Sequence, residues 1–262
     1  MSKHPIVVFD SGVGGISILK EIIHSLPYEN IVYLADSKNA PYGLRTRQDI
    51  IDLSIKNTEL AIQMKAKMIV VACNTATTNA ISFLRSHYAL PFIGIEPAIK
   101  PAAINSKAKR IGVLATKGTL SSDLFKHTSK RFTEGVNVVE VIGKGIVEAV
   151  EGGWTNDETF ISHLNRQIQP FIKEDIDYLV LGCTHFPYII PKLRELLPKH
   201  VIIIDSGRAV AKQTKSVLKG QHLKNTGDNS GDIKIYTNTN NSSTLQELMK
   251  NFKDISITHM DF

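Results

Sequence analysis

Cysteine is scarce in this chain: there are two in 262 residues. That excludes a disulfide-stapled scaffold, in which several bridges stand in for a core. At this length, with 42% hydrophobic residues, the chain buries a core without staples or a structural metal. Long apolar runs are missing as well. The most apolar stretches, residues 68–73 and 201–204, fall far short of the ~20 residues of a spanning helix, so no membrane partner is expected. Residues 1–5, Met-Ser-Lys-His-Pro, lead into a strand pattern without the h-region and cleavage site of a secretory leader. Cytoplasmic residence is therefore expected, with both thiols reduced. Charge of one sign is not concentrated either. Lys and Arg outnumber Asp and Glu by 31 to 25, for a net charge of +6. The basic residues are scattered, with no dense run, zinc-finger spacing or aromatic ribonucleoprotein motif, so no nucleic-acid partner is expected.

What is present is alternation. Short β-branched runs at residues 6–9, 31–34, 68–71, 92–95, 110–114, 137–142, 178–181, 201–204 and 233–236 read as strands. Between them lie 3.6-period segments. Ile18, Leu19, Ile22, Ile23 and Leu26 mark one face of a helix over 15–26, and Ile50, Leu53, Leu60 and Met64 mark a second over 49–65. Further helices are expected at 75–87, 187–197 and 244–252. The pattern predicts an α/β fold with largely parallel sheets. Residues 221–232 are polar and turn-rich and read as a surface loop. The following strand, helix and extended piece (255–258) are too short for a core of their own, so the tail is expected to return to the first half. The expected domains are 1–97 plus 210–262, and 98–209.

In parallel α/β sheets, ligands gather past the C-terminal ends of strands. The first expected strand exits into Asp10-Ser11-Gly12-Val13-Gly14-Gly15, the second into Ala35-Asp36, with Pro41-Tyr42-Gly43 shortly after. The third exits into Cys73-Asn74-Thr75, the fifth into Ala115-Thr116-Lys117-Gly118-Thr119, and the seventh into Gly182-Cys183-Thr184-His185. Two exits thus present a small residue, a cysteine and then Asn or Thr. Asp10 leads Cys73 by about as many residues as Thr116 leads Cys183, which reads as two related halves.

A buried cysteine is usually inert, but both of these stand at ligand-binding positions. A metal site lacks Cys-x-x-Cys and sufficient ligands near His185, and a redox pair lacks the thioredoxin spacing. The remaining option is acid/base work by two thiols, one for each face of a single carbon. A free thiol of pKa ~8.5 is lowered by nearby donors or a helix N-terminus, and each cysteine precedes an expected helix start. His185 is the one histidine of nine beside a proposed base. Gly12, Gly14 and Gly15 could suggest a dinucleotide loop, but Ser17 replaces the third glycine of that fingerprint and no Gly-Lys-Ser/Thr follows. No cofactor is expected; the glycines are read as letting backbone and helix approach closely.

Asp10-Ser11-Gly12-x-Gly14-Gly15, Pro41-Tyr42-Gly43, Cys73-Asn74-Thr75-Ala76 and Gly182-Cys183-Thr184-His185-Phe186-Pro187 together resemble the signature motifs of the glutamate racemases. The wider group includes aspartate and hydantoin racemases. The resemblance runs in order from about residue 5 to 215. It implies a cofactor-independent, metal-free racemase that interconverts L- and D-glutamate and supplies D-glutamate for peptidoglycan. It also implies two α/β domains related by a pseudo-twofold axis, with the site between them. Carried over by residue, Cys73 would act on D-glutamate and Cys183 on L-glutamate, assisted by Asp10, His185 and Glu151. Glu148 competes with Glu151 for the last role. Asp10, Ser11, Tyr42, Gly43, Asn74, Thr75, Thr116, Thr184 and His185 would bind substrate. Homodimers are common in such enzymes. The chain departs from the pattern at Gly143-Lys144-Gly145, where Cys-Pro is common, and at Tyr236-Thr237-Asn238, where Thr-x-Gly-Asp is common. An aspartate racemase of the same group, and a non-catalytic thiol-redox or binding protein on this fold, stay open as alternatives.

Overall fold

The structure is a computed structural model that describes residues 3–227, 229–252 and 255–262. Residues 1–2, and Asp228 of the expected loop, lie outside the described residues. The strands are β1 (Ile6–Asp10), β2 (Ile31–Ala35), β3 (Met68–Val71), β4 (Phe92–Gly94), β5 (Arg110–Ala115), β6 (Asn137–Ile142), β7 (Tyr178–Gly182), β8 (Ile202–Ile204), β9 (Ile233–Thr237) and β10 (Ile255–His259). β1, β2 and β3 are buried along their whole length, because helices cover both faces of a parallel sheet and only apolar runs tolerate that.

The strands form two sheets. One has the order β10-β9-β2-β1-β3-β4 and the other β6-β5-β7-β8. Every pairing is parallel. The run β2-β1-β3-β4 recurs as β6-β5-β7-β8, so β1 corresponds to β5 and β3 to β7. Asp10 and Thr116 thus sit at or just past equivalent strand ends, and Cys73 and Cys183 follow an equivalent pair. β9 pairs with β2 in register Ile31↔Ile233 to Ala35↔Thr237 and carries β10 on its far edge. The last strands of the chain therefore extend the first sheet.

Helix ends follow local chemistry. The helix Arg47–Gln63 begins two residues earlier than its apolar period suggests, because Thr46 and Asp49 form a capping box. Cys73 is itself the cap of the helix Asn74–His87. The helix expected at 187–197 is corrected: a 3-10 segment, Phe186–Ile189, precedes an α-helix, Ile190–Leu196. Pro187 and Pro191 lack the N–H groups that a continuous helix would need there. Cys183 consequently stands off from any α-helical N-terminus. Among the described residues no helix is long and apolar enough to cross a membrane.

Candidate active site

The ends of β1, β3, β5 and β7 face one another across the two sheets, and side chains bridge them. Asp10, at the end of β1, is fully buried. Its Oδ1 accepts from the Gly12 N–H at 2.9 Å and its Oδ2 from the Thr184 hydroxyl at 3.0 Å. Ser17 returns a second link, donating to the Thr184 carbonyl at 3.1 Å. Beside Asp10, Cys73 Sγ lies 3.8 Å from Ser11 Oγ and accepts from the Ala76 N–H at 3.4 Å.

The other thiol has different company. Cys183 Sγ is 3.8 Å from His185 Nδ1, and His185 Nε2 is 2.6 Å from Glu151 Oε1. Glu151 closes the helix Ile146–Gly152 and crosses to the first half, where its Oε1 accepts from the Val13 N–H at 2.8 Å. Glu148, one turn earlier, is exposed, so Glu151 is the carboxylate that meets His185. The glycine turn makes this crossing possible. A Cβ on Gly12 would fall 1.9 Å from Glu151 Oε1, and one on Gly14 would fall 2.3 Å from His185 Nδ1. Neither position has a left-handed backbone. The requirement is for space, and what the backbone approaches is the His185–Glu151 pair.

Burial and mutual charge set the protonation states. Burial pushes Asp10 up to about 6, with Glu151 adding to the rise, while His185, the Gly12 N–H and the Thr184 hydroxyl pull it down. Burial also raises the Cys73 thiol, and the Asp10 carboxylate and the Cys183 sulfur raise it further. The expectation that a helix start would lower this thiol is therefore overturned. The Ala76 N–H does favour the anion, but desolvation and two neighbouring negative charges outweigh it. At His185 burial opposes the charged ring, yet its bonds to Cys183 and Glu151 prevail and hold its proton well above the ordinary histidine range. The two thiols thus differ. Cys73 keeps its proton beside a carboxylate, and Cys183 faces an imidazolium.

The other expected residues line the same region. Thr75 Oγ1 is 2.8 Å from Thr116 Oγ1, which links the exits of β3 and β5. A Cβ on Gly43 would fall 2.7 Å from Thr116 Cβ, so the turn Tyr42–Leu44 abuts that pair. The main-chain N–H groups of Ser11, Tyr42, Gly43, Asn74, Thr75, Thr184 and His185 have no acceptor among the described residues. Asn74 Nδ2 is buried without a partner as well. A buried donor without an acceptor is costly, so these N–H groups and the Asn74 amide are left free to meet an acceptor from outside the chain. Tyr42 differs from the rest, because its hydroxyl turns away to the Asp36 carboxylate. Sequence reasoning missed Thr119, which bonds to both Thr75 and Thr116. It also missed Tyr33, whose hydroxyl holds the Gly12 carbonyl at 2.7 Å. Thr119 stood in the exit after β5 and was legible there; Tyr33, inside a strand, carried no signal. Among the described residues, no three His, Cys, Asp or Glu side chains gather to hold a metal ion.

Comparison with known proteins places this arrangement. The sequence profile of the Asp/Glu/Hydantoin racemase family matches residues 14–214. A glutamate racemase of Herpetosiphon aurantiacus is 39% identical over 237 residues, which span 90% of this chain and 93% of that one. The crystal structure of a glutamate racemase isoform from Bacillus anthracis superimposes with a TM-score of 0.87 at 29% identity, covering 99% of this chain and 98% of its own. Glutamate racemase from Escherichia coli, solved with L-glutamate and the activator UDP-MurNAc-Ala, superimposes with a TM-score of 0.86 at 30% identity, covering 98% of each chain. Matched over most of its length by the family profile and by such relatives, the chain belongs to the Asp/Glu/Hydantoin racemase family.

Proposed function

We propose that this protein racemises glutamate with two thiols and supplies D-glutamate for peptidoglycan. One observation carries the reading: the chain's two cysteines are free, follow equivalent strands of two similarly ordered sheets, and lie close enough that the Cys183 sulfur opposes ionisation of Cys73. The relatives are glutamate racemases, and one was solved with L-glutamate.

The chemistry follows from the difference between the thiols. Cys183, as a thiolate paired with the His185 imidazolium, takes the Cα proton of L-glutamate from one face. Cys73, still protonated, delivers its proton to the opposite face. D-Glutamate leaves with Cys73 as the thiolate and Cys183 as the thiol, and the reverse reaction exchanges the two roles. General acid–base catalysis of this kind contributes about 10²–10⁴-fold per group. Asp10 is largely ionised at neutral pH and receives the substrate ammonium. The unpaired N–H groups of Ser11, Tyr42, Gly43, Asn74, Thr75, Thr184 and His185 hold the carboxylates, with Thr116 closing the pocket. Carboxylates are thus met by dipoles fixed before substrate arrives, without a buried Arg. The two binding halves correspond to residues 1–97 plus 210–262 and 98–209, as two domains about a pseudo-twofold axis.

Polarimetry tests the reading. L-Glutamate should lose its optical rotation completely, L-aspartate should keep its own, and Cys73→Ser and Cys183→Ser should each be slowed by about 10²–10⁴-fold. Racemisation of aspartate in place of glutamate, or full activity in either variant, contradicts it.

A further inference from the structure

Asp36 follows β2 and is fully buried, yet it takes no part in the chemistry above. Its two oxygens are densely engaged. Oδ1 accepts from Asn39 Nδ2 at 2.8 Å, Asn238 Nδ2 at 2.5 Å and Lys56 Nζ at 3.1 Å. Oδ2 accepts from the Tyr42 hydroxyl, from Lys56 Nζ at 3.2 Å and from Asn57 Nδ2 at 3.5 Å. The partners are held in turn. Asn238 Oδ1 accepts from the Lys38 N–H at 2.8 Å, while Asn238 Nδ2 and Lys56 Nζ each reach the Phe262 carbonyl at 3.3 Å. The Tyr42 hydroxyl also accepts from Asn57 Nδ2 at 3.1 Å.

The Tyr42–Leu44 turn needs such an anchor. It is a three-residue 3-10 segment closed by two main-chain bonds of 3.1 and 3.4 Å, and its own residues offer little else to fix it. Tyr42 is nevertheless 1% exposed, and Gly43 sits so near Thr116 that a Cβ there would fall 2.7 Å from Thr116 Cβ. A carboxylate suits the task, since both of its oxygens accept and five donor groups converge on it. A neutral amide at this position would present two N–H donors to Lys56, Asn238 and Tyr42.

We propose that Asp36 is a positioning residue for substrate binding, holding Tyr42 so that the Tyr42 and Gly43 N–H groups face the substrate carboxylate. Asn238 joins this anchor from the segment after β9, so the last strands of the chain reach the site through Asp36. This rests on the reading of the chain as a glutamate racemase. A displacement of 1 Å at a positioning element costs about 10²-fold, and here the loss falls on binding.

Steady-state kinetics of wild type, Tyr42→Phe, Asp36→Asn, the double variant and Asn238→Ala test it. Tyr42→Phe should raise KM for both enantiomers at least tenfold while kcat stays within threefold. The double variant should raise KM no further than Asp36→Asn alone, because that change already disrupts the Tyr42 bond. Asn238→Ala should shift KM in the same direction by a smaller factor, and it keeps the test open should Asp36→Asn not fold. Unchanged KM in folded Tyr42→Phe and Asn238→Ala, or fully multiplicative effects in the double variant, would overturn the assignment even if the variants melt at lower temperature. A wild type that does not racemise glutamate overturns the functional reading itself, and the assignment with it.

Discussion

The Thr184 hydroxyl donates to the Asp10 carboxylate at 3.0 Å, joining the exit of β7 to the end of β1. A buried acid at the heart of the site is thus held by one donor from each half, the other being the Gly12 N–H at 2.9 Å. Its balance of burial against donors is open to measurement.

Asp10 titrates near 6 because burial raises it above the usual carboxylate range. The ionised form receives the substrate ammonium, so kcat/KM should fall as pH drops through about 6. Since the two enantiomers are isoenergetic in water, that acid limb is the same in both directions. Thr184→Val removes a donor to the ionised form and should move the limb upward. The stability sign is opposite to that of a salt-bridged acid. The raised folded pKa means that the fold loses stability as pH rises from the unfolded value through about 6. Asp10→Asn should therefore be more stable than wild type at pH ~8, by on the order of 1–3 kcal/mol, with the gain vanishing at pH ~4. Activity should fall by about 10²-fold or more. Thermal melts and pH–rate profiles check both signs.

His185 holds its proton against burial through Cys183 and Glu151. A histidine raised in this way stabilises the fold fully below its unfolded pKa of ~6.5, and the contribution is lost as pH rises through the folded value. Glu151→Gln removes the charge 2.6 Å from Nε2. The His185 titration, followed by ¹⁵N chemical shifts, should move to lower pH. The basic limb of the rate profile should move with it, and stability above neutral pH should depend less on pH. A His185 titration unchanged in this variant would remove Glu151 from the account.

Gly14 is where backbone and catalytic side chain compete for space. Gly14→Ala places a methyl 2.3 Å from His185 Nδ1, with backbone on one side and the buried ring on the other. Overpacking of this kind costs about 1–3 kcal/mol. The displaced ring should lower turnover by more than the loss of stability accounts for, as read from kcat in fully folded enzyme. Gly220, where a Cβ would meet no atom within 4 Å and the backbone is not left-handed, offers the contrast: its alanine variant should keep full activity.

Much of the fold is legible in the sequence. Parallel strands buried on both faces read as apolar runs, and β1, β3, β5 and β7 follow those runs closely. The strand-exit rule then drew attention to Asp10, Cys73, Thr116 and Cys183. Periodicity served less well where local chemistry governs, as at the Thr46 cap and across the prolines that break the segment after His185. Pairings across the chain were not legible at all. Nothing in sequence joins Asn238 to Asp36, which meet only once β9 pairs with β2, or Glu151 to the Val13 N–H, which meet only once the two sheets come together. The protonation of Cys73 was hidden for a related reason. A helix start is a local feature, whereas the burial and charges that outweigh it come from the fold.

The central claim is that Cys73 and Cys183 address opposite faces of one carbon. It is tested most directly by the deuterium content of both enantiomers during the first few per cent of conversion of L-glutamate in D₂O. Two thiols predict that the D-glutamate formed carries solvent deuterium at Cα while the remaining L-glutamate stays protiated. Deuterium entering the L-glutamate pool as fast as D-glutamate forms, or D-glutamate that retains the original proton, would show a single base and contradict the account.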